Sequence, residues 1–304
     1  MPARRLGIIG YGAIGQAIVE RLRLEGTFDD LACVLIRPGR KPADDLPLFD
    51  DLADFLSSGP DVVIEAAGQR ALTHIGPAVA AAGIDLVASS VGALMDKTLM
   101  ATLLGKDDTA PGKVLIPSGA IAGLDGLVAA RLAGLDEVRY TSHKPPHAWL
   151  GTAAEGTLDF DHIEDEVVFF EGTARDAAVR FPKNANVSAA IALAGIGPER
   201  TQVRLVSSRR VTDPLGVVEA SGAFGWFRFE IYAHAFPSNP KSSMLTAYSL
   251  LECARYGIGM PLAAVACSSG DDPRHASRNT VNQPLHFVPM AGLSTVGERK
   301  TRQE

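Results

Sequence analysis

Cysteine is scarce in this sequence: Cys33, Cys253 and Cys267 are odd in number and far apart, with no Cys-x-x-Cys or Cys/His ligand spacing. That excludes a disulfide-stapled scaffold and a zinc-type structural site, and leaves buried free thiols as the expectation. Long apolar runs are missing as well, none reaching the roughly 18 residues of a membrane span. The opening Met1-Pro2-Ala3-Arg4-Arg5 leads directly into an apolar stretch with no separate signal-type core and cleavage site, so a cytoplasmic protein is expected. Nor is there an excess of positive charge. With a formal net charge of −6 and both signs dispersed, the chain lacks the basic stripe that a phosphate backbone requires, which argues against nucleic acid as a partner.

What is present is ordinary globular material: 304 residues, 46% hydrophobic and 21% charged, enough for two modest domains or one large one. The chain is organised around Leu6-Gly7-Ile8-Ile9-Gly10-Tyr11-Gly12-Ala13-Ile14-Gly15. A short apolar run meets three glycines at GxGxxG spacing and opens at once into Gln16 to Leu22, where apolar residues fall at helical intervals. Strand, tight turn and helix in that order make the spacing a dinucleotide-binding signature. Gly10 would form the turn, Gly12 would let the backbone approach a pyrophosphate, and Gly15 would let helix and strand pack closely. The helix start at Ala13 and Ile14 would turn its N–H groups and dipole towards the phosphates.

Leu31 to Ile36 reads as a second strand, ending in Arg37-Pro38-Gly39-Arg40-Lys41. An NAD-type fingerprint carries a ribose-binding carboxylate about 20 residues past the glycines, whereas an arginine there suits a 2′-phosphate. Here the stretch carries cations, so NADP is expected to bind at least as well as NAD, with Arg37 as the contact; a solvated basic loop is the alternative. Asp61 to Gly68, Asp85 to Ser90 and Val114 to Pro117 read as further strands with their turns, and Ala78 to Gly83 closes an alanine-rich helix. Such alternation demands a parallel sheet. Ligands gather at the C-terminal ends of its strands, where Gly10, Ala66, Ala67, Ser90, Val91 and Ser118 fall.

The pattern then changes. Val138 to Ser142, Glu166 to Phe170, Val203 to Ser207 and Gly225 to Ala235 read as strands, and Ala174 to Arg180 and Ala185 to Ala194 as helices, suiting an antiparallel sheet with helices on one face. From Ser243 to Tyr256 apolar residues return at helical intervals, a helix expected to pack back on the first domain. Residues 269–304 are polar and without sustained periodicity, an irregular tail.

Taken together, these motifs resemble the L-aspartate dehydrogenase family. The matching pieces are Gly10 to Gly15, Ser89-Ser90-Val91-Gly92-Ala93-Leu94-Met95-Asp96 and Pro117-Ser118-Gly119-Ala120-Ile121-Ala122-Gly123-Leu124-Asp125. Further on come Lys144-Pro145-Pro146, Phe169-Phe170-Glu171-Gly172, Phe181-Pro182-Lys183-Asn184-Ala185-Asn186-Val187 and Asn239-Pro240-Lys241-Ser242-Ser243. The resemblance implies an α/β fold: a Rossmann domain over 1–124 completed by a helix over 243–268, and an inserted α/β substrate and dimerisation domain over 125–242. It implies a homodimer that interconverts L-aspartate with oxaloacetate and ammonia through iminosuccinate, using NAD or NADP. It places the Ser118 to Ile121 backbone, Ala120 included, and Asn186 at the nicotinamide end of the cofactor.

The family's proposed catalytic residue is a histidine in an Asn-x-His motif shortly before Gly-x-Phe-Gly, which here is Gly222-Ala223-Phe224-Gly225. Counting from either side puts Gly216 at that position, so no imidazole carries over. A positioned general base is worth roughly 10²–10⁴ in rate, and glycine supplies none. His147 and His234, near Lys144-Pro145-Pro146 and Asn239-Pro240-Lys241, are the leading substitutes; His143 is a third, while His74, His162, His275 and His286 stand alone. Lys144 and Lys241 suit a substrate carboxylate, and Ser118, Asn184 and Ser242 offer donors. The acidic run Asp159, Asp161, Glu164, Asp165 and Glu166 reads as a solvated edge rather than a metal site. Two other readings stay open: a dehydrogenase for a different imino or keto acid, and a catalytically silent cofactor-binding homologue.

Overall fold

The computed structural model describes residues 4–40, 45–105, 112–159, 163, 165–236 and 239–266. Cys267, His162, His275, His286, Asp161, Glu164 and the 269–304 stretch lie outside the described residues.

The first half alternates strand and helix: β1 (Leu6–Ile9), α1 (Ala13–Glu25), β2 (Leu31–Leu35), β3 (Leu48–Phe49), α2 (Leu52–Ser57), β4 (Val62–Glu65), α3 (Gln69–Ala81), β5 (Asp85–Ala88), α4 (Lys97–Leu104) and β6 (Val114–Ile116). Strands β1, β2, β4, β5 and β6 are buried, mainly apolar runs, as a parallel sheet covered on both faces requires, while β3 at the edge is half-buried. The second half comprises α5 (Leu124–Ala133), β7 (Leu135–Lys144), β8 (Glu166–Thr173), α6 (Ala174–Arg180), α7 (Asn186–Ala194), β9 (Gln202–Ser208), β10 (Leu215–Gly222), β11 (Gly225–Tyr232), β12 (Ala235–Phe236) and β13 (Asn239–Ser243). It ends in α8 (Met244–Tyr256), β14 (Met260–Pro261) and α9 (Leu262–Ala266).

The seven-stranded sheet runs β14-β6-β5-β4-β1-β2-β3. Its chain reverses direction of growth between β1 and β4, the place where an open α/β sheet leaves a crevice for a ligand. One face packs on Ile18, Val19 and Leu22 of α1 and on Ala247, Leu250, Leu251 and Ala254 of α8. The opposite face packs on Leu72 and Val79 of α3, and that apolar core continues without a break into Val138 of β7, Val203 of β9 and Ile191 of α7.

Two expectations need correction. The second sheet, β11-β10-β7-β9-β8, is mixed rather than antiparallel, because β7 and β9 run parallel. The connection between them carries β8, α6 and α7, long enough for a crossover. The closing segment is also not one helix over 243–268. Gly257, at φ 67°, ends α8 in a left-handed turn, and Met260–Pro261 then adds an antiparallel edge strand to β6.

Candidate active site

The glycine turn shows how it is built. Gly10 sits at φ 97°, and a Cβ there would lie 2.8 Å from the Ala67 Cβ. A Cβ at Gly15 would lie 2.3 Å from the Gly10 carbonyl oxygen, so α1 can reach β1 this closely only without a side chain. At Gly12 a Cβ would meet nothing within 4 Å. The protein thus fills the space beside two of the glycines and leaves it open at the third, where a pyrophosphate would approach. The first rung of α1 is Gln16 N–H to the Gly12 carbonyl, so the N–H groups of Ala13, Ile14 and Gly15 precede the helix's own ladder and can serve an anion. The residues present fit a dinucleotide.

Beside this turn a carboxylate absent from the expected site organises the neighbouring strand ends. Glu65, fully buried at the end of β4, accepts from the Ala67 and Gly68 N–H groups, both at 2.8 Å, and from Ser90 N–H at 3.0 Å and Ser90 Oγ at 3.1 Å. Burial pushes its carboxyl above the ordinary range, and the four donors pull it partway back. Ala67, Gly68 and Ser90 are thereby held by one side chain. Arg37 is exposed, two residues past the end of β2, whose Leu35 carbonyl accepts the Gly10 N–H at 2.9 Å.

An open cleft with a cavity volume of about 150 Å³ lies between the two sheets. Ile14 and Val91 enter it from the cofactor side, with the Ser118 to Ile121 segment, including Ala120. The Ser118 hydroxyl pairs with Ser249 Oγ of α8 at 2.9 Å, and the same Ser249 oxygen accepts the Gly119 N–H at 2.9 Å. Asn184 and Asn186 line the cleft from the start of α7. Asn186 Oδ1 accepts the Gly92 N–H at 3.0 Å, which fixes the orientation of its amide and leaves its NH₂ for other acceptors.

From the second sheet, strand alternation brings Tyr140, Ser142 and Lys144 of β7 onto the cleft face. Gly216 and Ile231, paired to each other across β10 and β11, join them, and Ser142 is Gly216's partner on the other side. The Lys144 ammonium lies 5.1 Å from the Trp149 ring centroid, close enough for a cation–π contact. Among the described residues lining the cleft there is no carboxylate and no imidazole. Its titratable side chains are Tyr140 and Lys144. Sequence reading picked out Lys144 and passed over Tyr140 and Ser142, although a strand's period of two points to residues two and four positions earlier.

The histidines lie elsewhere. His147 is exposed on the short turn Pro146–Trp149 and does not line the cleft. His234 is 80% exposed, with its Nδ1 3.0 Å from Asp213 Oδ2, beside the cleft residues Ala233 and Pro214. His143 points to the opposite sheet face, 3.6 Å from Glu166. Lys241 and Ser242 fall in β13, leading into α8.

Residues 125–256 match the family described as aspartate dehydrogenase, C-terminal, and residues 10–117 match the homoserine dehydrogenase NAD-binding domain. The L-aspartate dehydrogenase of Ralstonia nicotianae is 40% identical over 258 residues, covering 81% of this chain and 94% of the relative. The chain belongs to the L-aspartate dehydrogenase family. The Pseudomonas aeruginosa member is 39% identical over 251 residues, covering 80% of this chain and 94% of its own. The crystal structure of aspartate dehydrogenase from Thermotoga maritima superposes with a TM-score of 0.65 at 26% identity, covering 82% of this chain and 94% of that one. An amine dehydrogenase from Mycobacterium smegmatis, at 13% identity and a TM-score of 0.51, shares the fold. The protein is therefore a nicotinamide-dependent dehydrogenase built on a dinucleotide-binding sheet and a second α/β layer.

Proposed function

We propose that this protein interconverts L-aspartate with oxaloacetate and ammonia through iminosuccinate, reversibly and with NAD or NADP. The observation that carries this reading is the chemistry of the cleft: beside the glycine turn, Lys144 and a set of amide and hydroxyl groups converge without any carboxylate among the described lining residues. Such a wall favours a small dianion. Lys144 would hold one substrate carboxylate and Ser118 and Asn184 would donate to the other, with Lys241 and Ser242 as further substrate contacts. When bound, the nicotinamide supplies the hydride chemistry at the substrate α-carbon. Gly10, Gly12, Ala13, Ile14 and Gly15 would hold its pyrophosphate, and Ala66, Ala67, Ser90, Val91, Ala120 and Asn186 its nicotinamide half. Arg37 would meet a 2′-phosphate, making NADP the slightly favoured cofactor.

The rest of the reading follows the family. Residues 1–124 with the closing helix would act as the cofactor domain and 125–242 as the substrate and dimerisation domain of a cytoplasmic homodimer, with Gly216 in the place of the family histidine. One observation favours a second reading. A Cβ at Gly216 would stand 3.4 Å from Tyr140 Cε2 and 3.8 Å from Ile121 Cγ2, ordinary contacts, and its φ lies outside the left-handed range. Neither packing nor backbone demands glycine there. The hollow that it leaves would admit a different imino or keto acid. NADPH and NADH oxidation with ammonia across a panel of 2-oxo acids separates the two: highest kcat/KM on oxaloacetate supports the first, and on a bulkier acid the second.

A further inference from the structure

We propose that the Tyr140 hydroxyl is the proton-transfer group of this cleft, taking over where the family carries an imidazole. The assignment rests on the amino-acid dehydrogenase reading of the site. Three features carry it. First, the cleft's titratable side chains among the described residues are Tyr140 and Lys144, and a lysine engaged in carboxylate binding is a cation already committed. Second, the Cβ position of Gly216 lies 3.6 Å from the Tyr140 hydroxyl. An imidazole growing from that point would cover the phenol; glycine leaves it facing the substrate space. Third, Tyr140 is held in place. It is 5% exposed, with apolar Val203 and Val218 as its cross-strand partners and Ser142 beside it on the same face. Burial pushes its phenol up to about 12, with a hydrogen bond to Ser142 acting the other way. It is thus an O–H donor throughout the neutral range.

The step is the dehydration of the carbinolamine that ammonia forms with the oxo acid. The nitrogen lone pair forms the C=N bond, the C–O bond breaks with its electron pair on oxygen, and the Tyr140 proton joins that oxygen to release water. The phenolate recovers a proton from solvent through the Ser142 hydroxyl. In the reverse direction the Tyr140 proton first leaves to solvent through Ser142, and water adding to the iminium carbon then gives its proton to the phenolate so formed. No oxidant or reductant enters this step.

The test measures ammonia-dependent NADPH oxidation by the full chain carrying Tyr140→Phe, Gly216→His or both, with NADPH affinity by fluorescence as the control for folding. Tyr140→Phe is expected to lower kcat roughly 100-fold or more, in line with loss of a positioned acid, while the NADPH Kd stays within twofold. In the Gly216→His background, where an imidazole can share the task, the same change is expected to cost less than fivefold. A Tyr140→Phe enzyme within threefold of the parent would overturn the assignment. So would an equal loss in both backgrounds, which would mark a packing role. Turnover on an acid other than oxaloacetate would sink the aspartate reading alone, and the same variants assayed on that acid would still decide Tyr140. No turnover on any acid would overturn both.

Discussion

Each glycine of the nucleotide turn answers to a different force, and substitution should separate them. Gly12→Val adds a side chain where the protein itself has nothing within 4 Å. NADPH binding measured by fluorescence should be lost while the melting temperature moves little. Gly15→Ala instead drives a methyl against the Gly10 carbonyl, 2.3 Å from its ideal position. Overpacking of that kind costs about 1–3 kcal/mol, and thermal unfolding should report it with cofactor absent. Glu65 poses the opposite case, a buried carboxyl serving four donors. Glu65→Ala should cost about 1–3 kcal/mol, since it leaves the buried Ser90 N–H without its acceptor. Its ionisation also has a sign. Because its carboxyl is held above the ordinary value of 4.5, the folded chain binds this proton more tightly than the unfolded one. The stability it contributes is full below 4.5 and is lost as pH rises through the raised value. Glu65→Gln should remove that part of the pH dependence of unfolding, whatever its effect on overall stability.

At the scale of elements, α8 does more than cover the first sheet. Its Ser249 accepts the Gly119 N–H and pairs with the Ser118 hydroxyl, so the loop after β6 is fixed to a helix that arrives more than a hundred residues later in the chain. Ser249→Ala should raise KM for the oxo acid severalfold with a smaller change in the NADPH Kd, because the Ser118 hydroxyl, the proposed donor to a substrate carboxylate, loses the partner that orients it. Equal changes in both constants would contradict that division. Local signals account for other elements. The capping box of Thr173 and Asp176 starts α6 over Ala174–Arg180, the span that alternation and helical spacing indicate. Strand β10 escapes such reading. Pro214, Gly216 and Gly222 dilute its β signal, and it forms because Leu215–Gly222 pairs with β7 on one side and β11 on the other.

At the scale of the whole molecule, hydrogen bonds tie the first half to the helical segments of the second: Gly92 N–H to Asn186 Oδ1 at 3.0 Å, Gln69 Nε2 to the Pro182 carbonyl at 2.8 Å, and Arg175 to the Met95 carbonyl at 2.8 Å. Asn186 both braces the structure and faces the cleft. Asn186→Asp keeps the acceptor for Gly92 and loses the NH₂, so it should weaken cofactor binding about tenfold, equivalent to about 1.4 kcal/mol, with little change in melting. Asn186→Ala should lower both.

The sequence by itself determined what is local or periodic. The apolar run, three spaced glycines and amphipathic segment from Leu6 to Leu22 specify strand, turn and helix within one stretch, and strand-helix alternation then demands a parallel sheet. Only the tertiary structure decided which residues face the cleft. Tyr140 and Ser142 on β7, Asn186 on α7 and Gly216 on β10 lie far apart in the chain and meet through cross-strand register and helix packing. The parallel pairing of β7 with β9 is of the same kind. It separates Lys144, on the cleft face, from His143, on the other, because neighbouring residues on a strand point to opposite sides. Such choices depend on long-range pairing that composition and spacing do not encode.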